Sequence, residues 1–217
     1  MPDVQLTFVF IDLVGFTALT EVHGDHDAAD IVDRFVALVR RSLGDGDRLV
    51  KTIGDAVMLV TPDPESGVAL TDRIVDITHR EGHFPQTRAG LHHGGAVERA
   101  GDYVGASVNL AARVADQAGP DQTLATAGVA AAARTLEVDV VDRGRFELRN
   151  VAEPVDLFEL LLCPGIQGTV IDPVCQARID RERAEGHVRY EAVDYWFCAL
   201  DCVARFSSHP ERYVRAG

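Results

Sequence analysis

Apolar and polar positions alternate in short blocks that resolve the chain into strands and helices. Residues 4–11 are a run of β-formers with LTFVFI at its heart, continuous enough for a buried strand. Asp12 ends it, and Leu13-Val14-Gly15-Phe16-Thr17 turns into a helix reaching about Val22. Residues 27–43 place Ile31, Phe35, Leu38 and Val39 on one helical face. Residues 48–60, RLVKTIGDAVMLV, read as two strands joined at Gly54-Asp55, a tight-turn pair. Pro62-Asp63-Pro64 stops that hairpin, and a second long helix covers residues 66–80. A strand over 87–97, a loop over 101–105 and a helix over 107–117 follow. Strands at 123–126, 138–141, 145–149 and 155–162, with a helix at 129–136, complete the block. Strands alternating with helices in this way predict an α/β (α+β) fold, a mixed sheet covered by helices. Cys163 to Gly168 breaks the periodicity with proline and glycine and marks a boundary.

Composition narrows the function classes. With 217 residues and 47% apolar content the chain suits one full domain and a small second one. A net charge of −13 speaks against nucleic acid or an anionic membrane as main partner. No apolar run reaches transmembrane length and MPDVQ carries no basic leader, so a soluble, cytoplasmic protein is expected. Of the four cysteines, three follow Pro173; in a cytosolic chain such clustering favours metal over disulfide.

Chemistry gathers at a few positions. Asp55 sits at the hairpin tip, free to take a cation. Lys51 beside it is the only lysine in an otherwise arginine-only chain, which suits a site needing a compact point donor, although compositional drift is the plain alternative. Asp12 at a strand end, then Gly15, Phe16 and Thr17 opening a helix, is an arrangement for a phosphate and a cation; an ordinary helix cap has the same pattern. Asn109 and Arg113 are four apart and share one helical face, with Val108, Ala111, Ala112 and Ala115 packing the other and small enough to let the helix approach a sheet. His79, His83, His92 and His93 read as ordinary histidines.

The segments FVFIDLVGFTAL, VKTIGDAVMLV and GDYVGASVNLAARV together resemble the catalytic domain of the class III nucleotidyl cyclases, over about residues 4–162. The resemblance implies a ferredoxin-like core and a head-to-tail homodimer with two sites at the interface. It implies that Asp12, Asp55 and the carbonyl of Leu13 hold two Mg²⁺ or Mn²⁺ ions, and that Asn109 and Arg113 serve the transition state. Lys51 and Asp102 match the family's purine-reading pair in its adenine form; guanylyl members usually carry glutamate and cysteine there. ATP is the substrate so implied. The lysine that family members often place late in the domain against the triphosphate is missing from FELRNVAEPVDLFEL, where Arg149 is the nearest replacement.

After the boundary, DPVC, YWFC, Cys202, Phe206 and the segment Pro210 to Tyr213 resemble the YHS domain, a small module suspected of binding metal, with Gln176-Ala177 where that family often has Gly-Met. The implied layout is a cyclase domain at 1–163, a linker at 164–169 and a YHS domain at 170–217. Cys198 and Cys202, four apart, are expected on one helical face, with Cys175 from a preceding strand. Three soft ligands suit Zn²⁺ or Cu⁺, and three buried thiols in a small core are the alternative. Cys163 is a candidate fourth ligand outside the motif. The expected function is an adenylyl cyclase carrying a metal-responsive tail. A silent nucleotide-binding or dimerisation module with a metal-binding domain, and a metal-handling protein on a cyclase-like scaffold, stand as the other readings.

Overall fold

A computed structural model describes residues 3–162 and 168–214. The long first strand β1 (Asp3–Leu13) leads through Gly15 into helix α1 (Phe16–His23), followed by α2 (Asp25–Ser42). The hairpin β2 (Arg48–Ile53) and β3 (Ala56–Thr61) precedes α3 (Pro64–Arg80), whose first turn is capped by the Asp63 carboxylate on the Ser66 amide at 2.8 Å. A two-residue β4 (Phe84–Pro85), the long β5 (Thr87–Arg99), short β6 (Asp102–Val104) and α4 (Ala106–Gln117) come next. Then follow β7 (Thr123–Thr126), α5 (Ala127–Thr135), β8 (Val140–Phe146) and β9 (Val155–Leu160).

These strands form one mixed sheet in the order β2-β3-β1-β5-β7-β9-β8, with β6 on β5. The β5–β7 pair is parallel and the others are antiparallel. The pleat sorts β1 into two faces. Val9, Ile11 and Leu13 pack against α2, α3 and α5 in the main core. Phe8, Met58 and Val60 face the other way, toward Tyr103 and toward Val108 and Ala111 of α4. Helix α4 covers only part of that second face, and Val4, Leu6, Phe10 and Val50 remain half-buried there.

Three sequence expectations change. Asp12 does not end β1: the strand runs on to Leu13 because Ala56 and Arg88 still flank Asp12 in register. The segment around Asp102 is a strand rather than a loop, since Arg99 and Val97 pair with Asp102 and Val104. The strands expected at 138–141 and 145–149 are one strand, β8, with an irregularity between Asp142 and Gly144, where glycine takes φ 85°.

The last part of the chain builds β10 (Thr169–Ile171), β11 (Ala177–Asp180), the hairpin β12 (Gly186–Tyr190) and β13 (Val193–Phe197), and α6 (Leu200–Ser208). Its core is Phe197, Phe206 and the three cysteines, with Tyr190, Tyr195 and Tyr213 ringing Phe206. It does not hang free of the first part. β11 pairs with β4, so Phe84 and Pro85 complete a three-stranded sheet with β10 and β11. Arg178 of β11, 6% exposed, binds the carboxylate of Asp121 in the turn before β7. Cys163 and most of the expected linker lie outside the described residues. Among the described residues no helix is long and apolar enough to cross a membrane.

Candidate active site and an adjoining cysteine cluster

The hairpin tip brings Asp55 to the end of β1, because Asp12 lies opposite Ala56. Burial pushes the Asp55 carboxyl up from its ordinary value, and the negative charge of Asp12 pushes it further. Two carboxylates that repel each other in this way are suited to a shared cation. Sequence reasoning missed the counter-charge already present: Arg88, opposite Asp12 on β5, donates to Asp12 Oδ2 from Nε at 2.9 Å and from Nη2 at 2.5 Å. Leu13 is buried with its side chain in the main core, so only its backbone could serve an ion. Gly15 takes the left-handed conformation, φ 75°, at the N-terminus of α1, with Phe16 half-buried and Thr17 exposed in the first turn.

Lys51 reaches its place through a bulge. The β2–β3 register slips between Leu49 and Lys51, so Lys51 stands opposite Met58 instead of Val57. Met58 faces the α4 side and Val57 the main core, so the slip turns the ammonium out of the apolar core. Lys51 Nζ then donates to Asp102 Oδ2 at 2.6 Å. Asp102 Oδ1 accepts from the Tyr103 amide at 2.8 Å. The lysine bond, and after it the amide, hold the Asp102 carboxyl below its ordinary range.

Asn109 is exposed and Arg113 half-buried on α4, and Arg113 Nη1 donates to Asp116 Oδ2 at 2.6 Å. The helix sits almost in van der Waals collision with β5. A Cβ on Gly90 would lie 2.1 Å from the Ala115 amide nitrogen, as the expectation of close approach through small alanines requires. His92 and His93 point to opposite faces, with Nδ1 atoms on Thr126 Oγ1 at 2.8 Å and Thr7 Oγ1 at 3.0 Å. Arg149 is exposed between β8 and β9.

The cysteines converge, though not as expected. Cys198 lies in the bend before α6, Cys202 in the first turn of that helix, and Cys175 in the turn before β11 rather than on a strand. Their sulfurs are 3.4 Å (Cys175–Cys198) and 3.7 Å (Cys198–Cys202) apart, and none is in a disulfide. Hydrogen bonds from Cys198 and then Cys202 push the Cys175 thiol far down, while the two donors are pushed up by that same sharing. Asp172, fully buried, fixes the arrangement by accepting from the Val174 amide at 2.8 Å and the Cys198 amide at 2.9 Å. The fourth member of the cluster is His23, the last residue of α1; its Nε2 lies 3.7 Å from Cys198 Sγ and 3.9 Å from Cys202 Sγ. Nothing in the spacing of a lone helix-end histidine pointed to cysteines so far along the chain.

Comparison with known proteins agrees with this architecture. Residues 2–160 match the adenylate and guanylate cyclase catalytic domain family, and the chain belongs to it. A pH-sensitive adenylate cyclase of Mycobacterium tuberculosis is 42% identical over 120 residues, 55% of this chain and 30% of that protein. An adenylate cyclase of Glutamicibacter nicotianae is 38% identical over 120 residues, 54% of this chain and 30% of that protein. The chain thus spans about a third of the length of these curated relatives. Among solved structures, the adenylyl cyclase CyaB from P. aeruginosa shares the fold with TM-score 0.64 at 19% identity, over 75% of this chain and 96% of that one. An adenylate cyclase from Trypanosoma brucei does so with TM-score 0.67 at 23% identity, over 74% of this chain and 89% of that one.

Proposed function

We propose that this chain is an adenylyl cyclase, forming 3′,5′-cyclic AMP and pyrophosphate from ATP. The observation that carries the reading is the Lys51–Asp102 pair, a donor and an acceptor set 2.6 Å apart by the β2 bulge. An ammonium and a carboxylate side by side complement the adenine edge, which offers a ring-nitrogen acceptor and an amino donor; guanine offers the reverse. Asp12 and Asp55 would hold Mg²⁺ or Mn²⁺, and the repulsion that raises Asp55 supports such a fit. An ion held by Asp12 and Asp55 would supply Lewis-acid activation of the ribose 3′-hydroxyl and neutralise triphosphate charge. Gly15, Phe16 and Thr17 present the open amides of α1 to phosphate, Asn109 orients the ribose, and Arg113 meets charge building on the α-phosphate.

Two copies would share each site. The half-buried apolar residues Leu6, Phe10 and Val50 on the second sheet face, with Ile53 49% and Val104 59% exposed beside Asp55 and Asp102, suit a homodimer interface. The tail, read as a YHS module, would bind a soft metal through Cys175, Cys198 and Cys202. The deciding experiment is turnover by purified protein with ATP or GTP and Mn²⁺ or Mg²⁺. Cyclic AMP from ATP, with GTP far poorer, is expected. ATP binding without turnover would instead favour a silent nucleotide-binding module.

A further inference from the structure

We propose that His23 of α1 completes a four-ligand zinc site with Cys175, Cys198 and Cys202, so that a single ion straps the tail to the helix that begins at the Gly15 turn. The proposal rests on the metal reading of the three cysteines and adds a ligand from the other part of the chain. A tetrahedral zinc ion with Zn–S of about 2.3 Å and Zn–N of about 2.0 Å requires S···S edges of about 3.8 Å and S···N edges of about 3.5 Å. The edges found are 3.4 and 3.7 Å between sulfurs and 3.7 and 3.9 Å from His23 Nε2 to two of them. All four ligand atoms lie within 4.8 Å of one another. Three cysteines and one histidine are a closed structural zinc set, with no position left over for water or substrate.

A core of three buried thiols accounts for Cys175 and Cys202, both fully buried. It does not account for an imidazole nitrogen from α1 aimed between two of the sulfurs. Nor does it account for Asp172, which spends a fully buried carboxylate on amides of Val174 and Cys198 and so holds the ligand turns in place. The ring completes a set that the tail alone leaves one ligand short.

The same turn grips α1 at its other end. A Cβ on Gly15 would lie 2.6 Å from Gln176 Cβ, so the residue after ligand Cys175 packs against the turn that opens α1. Arg205 of α6 adds a third tie, donating from Nη2 to the Glu21 carbonyl at 2.9 Å. Zinc at His23 therefore fixes the position of α1, whose first residue, Phe16, lies three residues beyond the Leu13 end of β1.

The test uses the full chain, stripped of metal under reducing conditions and titrated with Zn²⁺ and with Co²⁺ as a spectroscopic probe. Wild type should take one tightly bound ion per chain, apart from any weaker uptake at Asp12 and Asp55, and that ion should give the thiolate and ligand-field bands of tetrahedral cobalt. His23→Ala should weaken zinc binding at least about tenfold and shift the cobalt bands. His23→Cys should restore one tightly bound ion, which separates ligand loss from misfolding. Hydrogen exchange should show α1 amides protected by zinc in wild type and not in His23→Ala. Unchanged zinc affinity and an unchanged cobalt spectrum in His23→Ala, with binding lost in Cys198→Ser/Cys202→Ser, would overturn the role of His23 and leave the cysteine reading standing. No zinc bound by wild type would overturn both.

Discussion

Arg88 gives two hydrogen bonds to one carboxylate oxygen of Asp12, occupying the place at the strand end where a cation would approach. A metal ion held there would therefore compete with the guanidinium for the same charge. Replacing Arg88 by Gln should lower the Mn²⁺ concentration for half-maximal activity, because Asp12 and Asp55 would then repel without compensation. Stability should fall by on the order of 1–3 kcal/mol for the lost charged hydrogen bonds. Activity titrated against Mn²⁺, with denaturant melts alongside, checks both; a raised Mn²⁺ requirement would reject the competition.

Substrate choice should follow the Lys51–Asp102 pair. Lys51→Glu combined with Asp102→Cys should reduce kcat/KM for ATP relative to GTP. Bound purine would cover both side chains, which are 39% and 44% exposed without it, and each group then left unpaired is worth on the order of 1–3 kcal/mol, so a shift of roughly 10- to 100-fold or more is expected. A competition assay with both nucleotides reads the ratio directly. Wild-type protein that uses GTP as well as ATP would contradict the assignment.

If each proposed site takes Asp12 and Asp55 from one copy and Asn109 and Arg113 from the other, as the cyclase resemblance implies, inactive variants should complement each other. Asp55→Ala and Arg113→Ala should each be nearly inactive. Mixed in equal amounts they should recover about a quarter of wild-type activity, since half the dimers would carry one intact site each. Absence of recovery where subunit exchange is demonstrated would place all the groups of a site in one chain.

The contact between tail and cyclase part should be acid-labile. Burial pushes the Asp121 carboxyl up, but the His79 ring 3.3 Å away and the hydrogen bonds from Arg178 and Gln86 outweigh it and hold the group far below its ordinary value. A depressed folded-state pKa contributes stability that is full above the unfolded value of about 3.9 and is lost as pH falls toward the folded value. Asp121→Asn should therefore cost about 2–4 kcal/mol at pH 7, below the full cost of a broken buried pair because 29% of the Asp121 side chain is exposed. The gap in melting temperature between wild type and variant should close as pH drops below 4. A gap independent of pH would assign the loss to packing instead.

Gly90 should be intolerant of any side chain. In Gly90→Ala the new methyl would meet the Ala115 nitrogen at 2.1 Å and its Cα at 2.5 Å, both backbone atoms that cannot swing away. A loss of at least about 1–3 kcal/mol is expected, with activity reduced because α4 carries Asn109 and Arg113. Gly95→Ala is the control, since its methyl meets the end of the Gln5 side chain at 3.2 Å, which can move. Equal melting temperatures for both variants would reject the close approach.

What could be read from the residues was whatever local pattern encodes. The hairpin around Gly54-Asp55, the helix carrying Asn109 and Arg113, and the turn at Gly15 all follow from neighbours a few positions apart. Arg88 was not legible, because its partner Asp12 is brought alongside only by the β1–β5 register. The bulge that re-aims Lys51 leaves no mark in RLVKTI. His23 and Arg178 meet partners far away in the chain, and each looks like an ordinary surface residue until the tail is folded against the first part.

Ribosomes deliver Phe84 and Pro85 long before Ala177 and Arg178, the residues that hydrogen-bond alongside them in β11. Until about the last quarter of the chain emerges, β4 keeps an open edge and Asp121 waits for its arginine. The earlier part thus acts as a template on which the later part finishes folding. A chain ending before the tail would therefore present an uncapped β4 edge and an Asp121 without its arginine, rather than a leaner version of the same protein.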